Sequence, residues 1–343
     1  MTTAAELASY ASSFPSFRNR IINGNFDIWQ RGTSQTSSGY GSADRWVNLH
    51  AGSTKTASQQ AFTAGQTDVP GNPKYYLRHV VSSVAAAANY VTSYQKIEGV
   101  DTLSGQTATV SFWAKADSNK NIATEFFQYF GSGGSPSSQV NAIGVTTHSL
   151  TTSWQKFTAT VAIPSISGKT IGSDGNDYLG FVFFFDAGSD WNSRTNSLGN
   201  QSGTFDIAQV QLEEGTVATP FEHRPTSVEL SLAQRYYQKS FPMDVAPAQN
   251  IGGNGALYCQ GHAANAPASG FVIFPTPMRD TPSIFTTYNP SAANANWRNL
   301  ATATDINKDL FSSSSSGFFL YSNTQVLSQY QVAAIHWSAH AEL

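Results

Sequence analysis

Charge is what this sequence most conspicuously lacks. Asp, Glu, Lys and Arg make up 12% of its 343 residues, about half the share usual in soluble domains. The net charge is −3, and the 19 Lys and Arg are dispersed with no basic run. A nucleic-acid binder needs a concentrated cationic surface to neutralise phosphates, so no nucleic-acid partner is expected, and a membrane-surface role is disfavoured for the same reason. No stretch of about 18 apolar residues occurs, which argues against insertion through a transmembrane helix. The single cysteine, Cys259, excludes an internal disulfide and a multi-Cys zinc site, leaving core burial and subunit contacts to hold the fold. Residues 1–17 carry neither the basic n-region nor the apolar h-region of a signal peptide. The expectation is a protein made in a cytoplasm without export, reaching the outside by a route such as lysis. Nucleophile elbow, P-loop and dinucleotide fingerprint are also missing; Gly252-Gly253-Asn254-Gly255 is glycine-rich but precedes no helix.

What replaces charge is Ser, Thr, Asn, Gln, Gly and 13% aromatic residues, a composition suited to short strands with one wet face. Thr107–Ala116 alternates: Ala108, Val110, Phe112 and Ala114 share one face, Thr109, Ser111, Trp113 and Lys115 the other. Phe157, Ala159, Val161 and Ile163 follow the same period of two, and Phe205–Leu212 alternates again, which predicts half-buried strands. Leu179–Phe185 is continuously apolar and reads as a central strand covered on both sides. Loops rich in Gly, Ser and Asn are expected at 51–73, 131–139, 165–177 and 186–203. Many strands with turn chemistry between them predict a sandwich or jelly roll.

Two segments break this pattern. In residues 1–16, Thr3 and Glu6 have capping-box spacing and Leu7, Tyr10 and Ala11 share a helical face, giving either an anchoring arm or a frayed terminus. After Pro225, Thr226 and Glu229 form a second capping box, and Val228, Leu232, Ala233, Tyr236 and Tyr237 recur at helical spacing. A linking helix is expected there. Strand candidates resume at 256–259, 270–274, 283–288, 317–321 and 331–337, with a flexible loop tip at 312–316. The expected organisation is all-β: an N-terminal arm (1–16), a jelly-roll β-sandwich (17–225), a short linking α-helix (226–241) and a second, smaller C-terminal β-sandwich (242–343).

Several stretches, in order, carry a resemblance: Asn-Gly-Asn-Phe-Asp-Ile-Trp-Gln-Arg-Gly at 23–32, Ala-Asp-Arg-Trp at 43–46, and the segments 105–116, 153–164, 205–215, 219–225 and 231–240. Together they resemble phage tail-fibre and minor virion structural proteins whose first domain is similar to a family 4/9 carbohydrate-binding module. The resemblance covers about residues 20–240. It implies a jelly roll, a virion location, a homotrimer, attachment to other virion proteins through the arm, and a host cell-surface polysaccharide or lipopolysaccharide as ligand. Such modules usually keep an acidic residue in the last strand near a structural calcium. Here Ala208 and Gln209 stand in its place, which argues against calcium, and no other cofactor is implied.

Sugars present flat C–H faces and hydroxyls, which exposed Trp or Tyr rings and Asn, Gln, Asp or Arg groups recognise. Trp191, with Asp190, Asn192 and Arg194 in the same polar loop, is the favoured cluster. Tyr40 and Trp113 are further candidates. Trp191 also reads as a loop anchor packed on the sandwich edge. Trp29, Trp46 and Trp154 read as core, and a second binding region around Trp297, Arg298 or 312–316 stays open. Glycan hydrolysis needs two facing carboxylates. Asp186 and Asp190 are candidates for that, or for a calcium loop with Asn192 and Asn200, but both residue types are ordinary turn formers. Glu213 and Glu214 read as a solvated turn. His336, His340 and Glu342 could share a surface metal, a polar terminus or a threefold subunit contact, and Cys259 reads as a small buried hydrophobe. No catalytic and no metal residues are assigned. The expected function is attachment of a virion to a glycan without enzymatic activity. A decoration or connector protein using the sandwich as scaffold is the alternative, and a polysaccharide depolymerase the weaker one.

Overall fold

A computed structural model of the chain describes residues 17–343, so the proposed arm at 1–16 lies outside the described residues. One compact unit takes in residues 17–27, 34–229 and 343, and the other residues 28–33 and 230–342. The stretch 23–32 is thus divided between them.

In the first unit the strands run β1 (Ser34–Gln35), β2 (Trp46–Ala51), β3 (Thr54–Ala61), β4 (Tyr75–Ser82), β5 (Tyr90–Glu98), β6 (Thr107–Ala116), β7 (Lys120–Tyr129), β8 (Val140–Leu150), β9 (Gln155–Ala162), β10 (Tyr178–Ala187) and β11 (Gly203–Glu214). They form a six-stranded sheet in the order β1-β3-β4-β11-β6-β9 and a five-stranded sheet in the order β2-β5-β10-β7-β8. Every named ladder in both is antiparallel. The chain passes repeatedly from one sheet to the other, the jelly-roll way of covering strand edges.

Alternation does what the sequence pattern predicts. Phe112 on β6 meets Phe183 on β10 edge-on at 4.9 Å, and Phe205 on β11 meets Phe185 at 5.4 Å, joining the two sheets. Trp46 extends the row between Phe26 and Phe183. Strand β10 is buried along its whole length, because β5 and β7 flank it and both of its faces are covered. Trp46 and Trp29 are core residues, the latter in the second unit.

Several expectations change. The loop expected at 51–73 contains β3, whose alternate residues Lys55 and Ala57 are buried. Trp154 is not core: it is half-buried, and its ring meets Phe62 and Tyr76 at 5.2 Å each. Glu213 does not sit in a solvated turn. Its carboxylate is buried and accepts from the Thr219 backbone N–H at 2.9 Å and hydroxyl at 2.6 Å, and from the Gln211 amide at 2.8 Å. Glu214 alone is exposed.

Two short helices are described with the first unit's chain: α1 (Asn192–Thr195) and α2 (Thr226–Gln234), the unit boundary falling inside α2. α2 ends sooner than the spacing predicted, because Tyr237 enters a strand. Glu229 does not close a capping box either: its carboxylate accepts the Asn23 backbone N–H and the Arg224 guanidinium. Of the expected apolar face, Ala233, Tyr236 and Tyr237 are buried, and Val228 and Leu232 are half-buried.

In the second unit the strands are β12 (Tyr237–Lys239), β13 (Leu257–Gln260), β14 (Ala266–Ile273), β15 (Ile284–Tyr288), β16 (Trp297–Asn299), β17 (Thr304–Ile306), β18 (Asp309–Ser314), β19 (Gly317–Leu327) and β20 (Val332–His340). β20 is the hub, pairing with β12, β13, β15 and β16. A three-stranded sheet β14-β19-β18 packs on it, with Phe318 edge-on to Trp337 at 5.1 Å. The loop expected at 312–316 is instead the end of β18 and its turn into β19. Trp297 is fully buried and Arg298 pairs with Asp305 at 2.9 Å. That removes Trp297 as an exposed binding group, since the core claims its indole.

Of the buried bases in the first unit, His79 is the most deeply enclosed. His79 on β4 stacks on Phe185 at 4.4 Å, and neither ring nitrogen has a hydrogen-bond partner. Burial pushes its pKa down to about 3 from 6.5. Between those values the unfolded chain takes up a proton that the folded chain refuses. Stability is therefore fully present above pH 6.5 and is lost as pH falls towards 3. Urea midpoints at pH 7, 6, 5 and 4 should show His79→Leu with a shallower acid slope, by up to about 1.4 kcal/mol per pH unit. An unchanged slope would remove His79 from the account.

Candidate functional site

The outer face of the five-stranded sheet carries a cleft of about 200 Å³. Strand alternation builds its floor: Tyr90, Thr92 and Tyr94 from β5, and Tyr178, Val182 and Phe184 from β10. Phe127 from β7 and Leu49 from β2 extend the floor sideways, and Gln139, Trp191 and Arg194 complete the lining. Gly180 stands in the same row as Tyr178 and Val182. A Cβ there would come within 2.1 Å of the Phe127 ring, so the missing side chain lets that ring lie across the strand. Phe127 then meets Tyr178 edge-on at 5.6 Å and Tyr94 at 6.1 Å.

Trp191 is held in the wall by the neighbouring loop. Its indole Nε1–H donates to the Ala88 carbonyl at 3.2 Å, and the Asp190 and Gly188 backbone N–H groups donate to Ala87 and Asn89. The ring packs 4.6 Å from Tyr90 and 5.9 Å from Phe184, yet it stays part-exposed. A Cβ on Gly188 would sit 2.0 Å from the Ala86 carbonyl oxygen, so this close approach of two backbones requires glycine. The aromatic wall is thereby preorganised, which lowers the ordering cost of binding.

Arg194 lies over both Phe184 and Trp191, at 5.6 and 5.3 Å from their ring centres. Its position is set from below by Glu125, a fully buried carboxylate that accepts from the Arg194 Nε–H at 2.7 Å, from its Nη2–H, and from the Ala142 backbone N–H at 2.9 Å. Burial pushes the Glu125 carboxyl up, and the guanidinium and the Ala142 N–H counter it. Burial also raises the Tyr94 phenol, to about 12, and the Tyr178 phenol further. Both phenols therefore stay neutral at ordinary pH, able to donate and accept hydrogen bonds.

The structure thus brings Trp191 and Arg194 together in one cleft. Asp190 and Asn192 are exposed on the turn around Trp191 and are not among the lining residues. Tyr40 is half-buried elsewhere and does not line the cleft. Trp113 lies on the other sheet, paired with Lys156 and Ala208. Asp186 does not join Asp190 in a carboxylate pair. It is buried at the end of β10, where the Ser83 hydroxyl, the Asn200 amide and the Gln201 backbone N–H all donate to it. Tyr90, Tyr94, Tyr178 and Phe184 were missed in the sequence. Their signal was present as same-parity aromatics in two strands, but nothing local says that those strands are neighbours.

Among the described residues no group of three or more His, Cys, Asp or Glu is placed to hold a metal ion. His336 is engaged by Ser240 Oγ and the Gly252 carbonyl oxygen at 2.9 Å each, and Glu342 by Arg31 at 2.6 Å. His340 lies against the Tyr237 ring, and burial lowers its pKa to about 4. Cys259 is half-buried against the second core, where burial raises its thiol pKa.

No family model matches the sequence, and no curated protein matches it. Solved structures are similar in fold at low identity. A putative sugar-binding protein from Bacteroides thetaiotaomicron is 13% identical over 57% of this chain and 100% of that one, with a TM-score of 0.36. A family 4 carbohydrate-binding module is 18% identical over 57% of this chain and 99% of its own, with a TM-score of 0.30. The enzymatically active domain of tailspike protein 4 from bacteriophage CBA120 is 12% identical over 59% of this chain, with a TM-score of 0.33. The match spans 22% of the chain of that domain. At such identities the function has to be read from the chain's own residues.

Removing Arg194 leaves the Glu125 carboxylate buried and under-partnered. Arg194→Met should lower stability by about 1.5–3 kcal/mol, and adding Glu125→Gln should restore part of the loss. Chemical denaturation of the two variants decides it: a single variant as stable as the parent would show that the pair supports nothing.

Proposed function

We propose that the first unit binds a glycan in the cleft on its five-stranded sheet, and that the chain serves as a tail-fibre or receptor-binding subunit of a phage particle, attaching it to host polysaccharide or lipopolysaccharide. The observation that carries the binding reading is the lining itself. Tyr90, Tyr94, Tyr178 and Trp191 offer aromatic surface, and Thr92, Gln139 and Arg194 offer hydroxyl, amide and guanidinium groups. A sugar ring needs that combination: C–H faces stack on aromatic rings while hydroxyls take directed hydrogen bonds. The virion setting rests on the ordered sequence resemblance across residues 20–240.

Binding without cleavage is part of the proposal. The lining side chains are neutral or cationic, and Glu125 behind them is committed to Arg194 and the Ala142 N–H. Asp186 is likewise taken by its own hydrogen bonds. Hydrolysis requires a free pair of carboxylates across a glycosidic bond. The contacts of Trp191 with Tyr90, Phe184 and the Ala88 carbonyl favour a second reading, in which the indole simply anchors the loop of a scaffold or connector protein. We retain the homotrimer as part of the attachment proposal. It rests on the resemblance.

Affinity electrophoresis or calorimetry against host polysaccharide separates these readings. Trp191→Ala and Tyr94→Ala should each weaken binding by about tenfold or more, equivalent to about 1.4 kcal/mol, with melting temperatures close to the parent. A Trp191→Ala protein that melts earlier but binds unchanged would favour the anchor reading. Release of reducing ends from the same polysaccharide would end the non-catalytic one. Light scattering of the full chain should give three times the chain mass; a stable monomer would remove the trimer.

A further inference from the structure

The outer face of the six-stranded sheet carries a separate cavity of about 300 Å³, whose lining includes Gly71, Ser111, Trp113, Lys156, Gln209 and His223. It belongs to the first unit but shares no residue with the glycan cleft on the other sheet. Its volume is at the lower end of the about 300–1,000 Å³ usual for small-molecule sites.

Trp113 is the centre of this cavity. Every other tryptophan whose ring contacts are described meets a partner ring: Trp46 meets Phe26 and Phe183, Trp154 meets Phe62 and Tyr76, Trp191 meets Tyr90, and Trp337 meets Phe318. Trp113 is part-exposed, and among the described residues no ring or hydrogen-bond partner meets it. Its ladder neighbour on β11 is Ala208, which adds only a methyl group to that face. On the other side stands Lys156, directly opposite it on β9. The Lys156 ammonium donates at 3.4 Å to the Thr219 carbonyl oxygen, and among the described residues it has no carboxylate partner. No Asp or Glu lines the cavity.

The opposite wall is built at a conformational cost. Gln209 sits at φ +47 within the register shift of β11 between Ala208 and Gln211. A side-chain-bearing residue in that left-handed region is strained, and such strain gathers at binding sites. The bulge aims the Gln209 amide at the cavity rim, where its N–H donates to the Pro70 carbonyl at 2.7 Å. Gly71 holds φ +80, and a Cβ there would lie 2.4 Å from His223 Nε2. His223 in turn packs edge-on to Phe221 at 5.0 Å. A part-exposed indole platform thus has an ammonium without a carboxylate partner on one side, and an amide and an imidazole on the other.

We propose that this cavity is a second saccharide site, selective for a sugar carrying a carboxylate, a uronic acid. The pyranose stacks on Trp113, its carboxylate meets the Lys156 ammonium, and Gln209, Ser111 and His223 take its hydroxyls. The inference rests on the same glycan-binding reading of the unit but on different residues. Two sites on opposite sheets would let one chain hold two segments of an acidic polysaccharide, and avidity would then exceed either affinity.

The test is calorimetric titration of the full chain with tetragalacturonate, tetramannuronate and the methyl esters of both. At least one free acid should bind, more tightly than its ester and more weakly at high salt. Trp113→Ala should weaken that binding by about tenfold or more. Lys156→Gln, a change at an exposed side chain with no effect expected on folding, should erase the preference for acid over ester. Trp191→Ala should leave both effects in place. Equal affinity for acid and ester, no binding of either acid, or full retention in Trp113→Ala would each overturn the proposal. Loss of acid binding in Trp191→Ala alone would assign the acid to the first cleft, overturning the second site while leaving the glycan-binding reading standing.

Discussion

Burial of β10 on both faces is the constraint from which the first unit follows. Its inward residues Phe183 and Phe185 meet Phe112 and Phe205 of the facing sheet and so tie the two sheets together, while Phe181 meets Phe126 on β7 within its own sheet. Its outward residues, Tyr178, Val182 and Phe184, make the floor of the cleft. A strand that serves as core on one face and as binding surface on the other must be apolar throughout, because either face exposed to water would lose burial worth about 25 cal/mol per Å². Gly180 and Asp186 are the exceptions: an aromatic ring from β7 occupies the place of the Gly180 side chain, and the Asp186 carboxylate at the strand's end is met by hydrogen-bond donors.

In a chain so poor in charge, the buried carboxylates have specific tasks. Glu125 positions Arg194 at the cleft, Glu213 fastens the segment after β11, and Glu229 receives the backbone of Asn23 from far earlier in the chain. Asp186 gathers the loops that carry Ser83, Asn200 and Gln201. Each joins parts of the chain that local structure cannot hold together, and each satisfies its oxygens in doing so, as burial of a charged group demands. Few charges suffice because nearly all other cohesion is apolar and aromatic.

Reading by period worked where both neighbours of a residue declare its face. Thr107–Ala116 and Leu179–Phe185 carry enough alternation, or enough continuous apolarity, to specify strands and to place Phe112 and Trp113 on opposite faces. It failed where polar residues hid a strand, as at Thr54–Ala61, and where a chemical motif had a competing partner. Thr226 and Glu229 have capping spacing, but the Asn23 amide and the Arg224 guanidinium claim that carboxylate. Trp154 reads as core because its stretch resembles one whose counterpart is buried, but its ring stays half-buried, met by Phe62, Tyr76 and the Lys115 ammonium. Of the expected sugar-binding loop, Trp191 and Arg194 reached the cleft; Asp190 and Asn192 stayed on its exposed turn and Tyr40 lies apart.

By itself the sequence determined the all-β class, the absence of an internal disulfide, the aromatic inventory and the parity of residues within each strand, since these depend on composition and on neighbours one or two positions away. Only the tertiary structure decided which strands lie side by side, and therefore that Tyr94, Tyr178 and Trp191 share one cleft while Trp113 and Lys156 share another. Side-chain parity fixes a face but not a partner. Strand pairing is settled by packing between segments far apart in the chain, where the closing contacts are cooperative and carry no local signature.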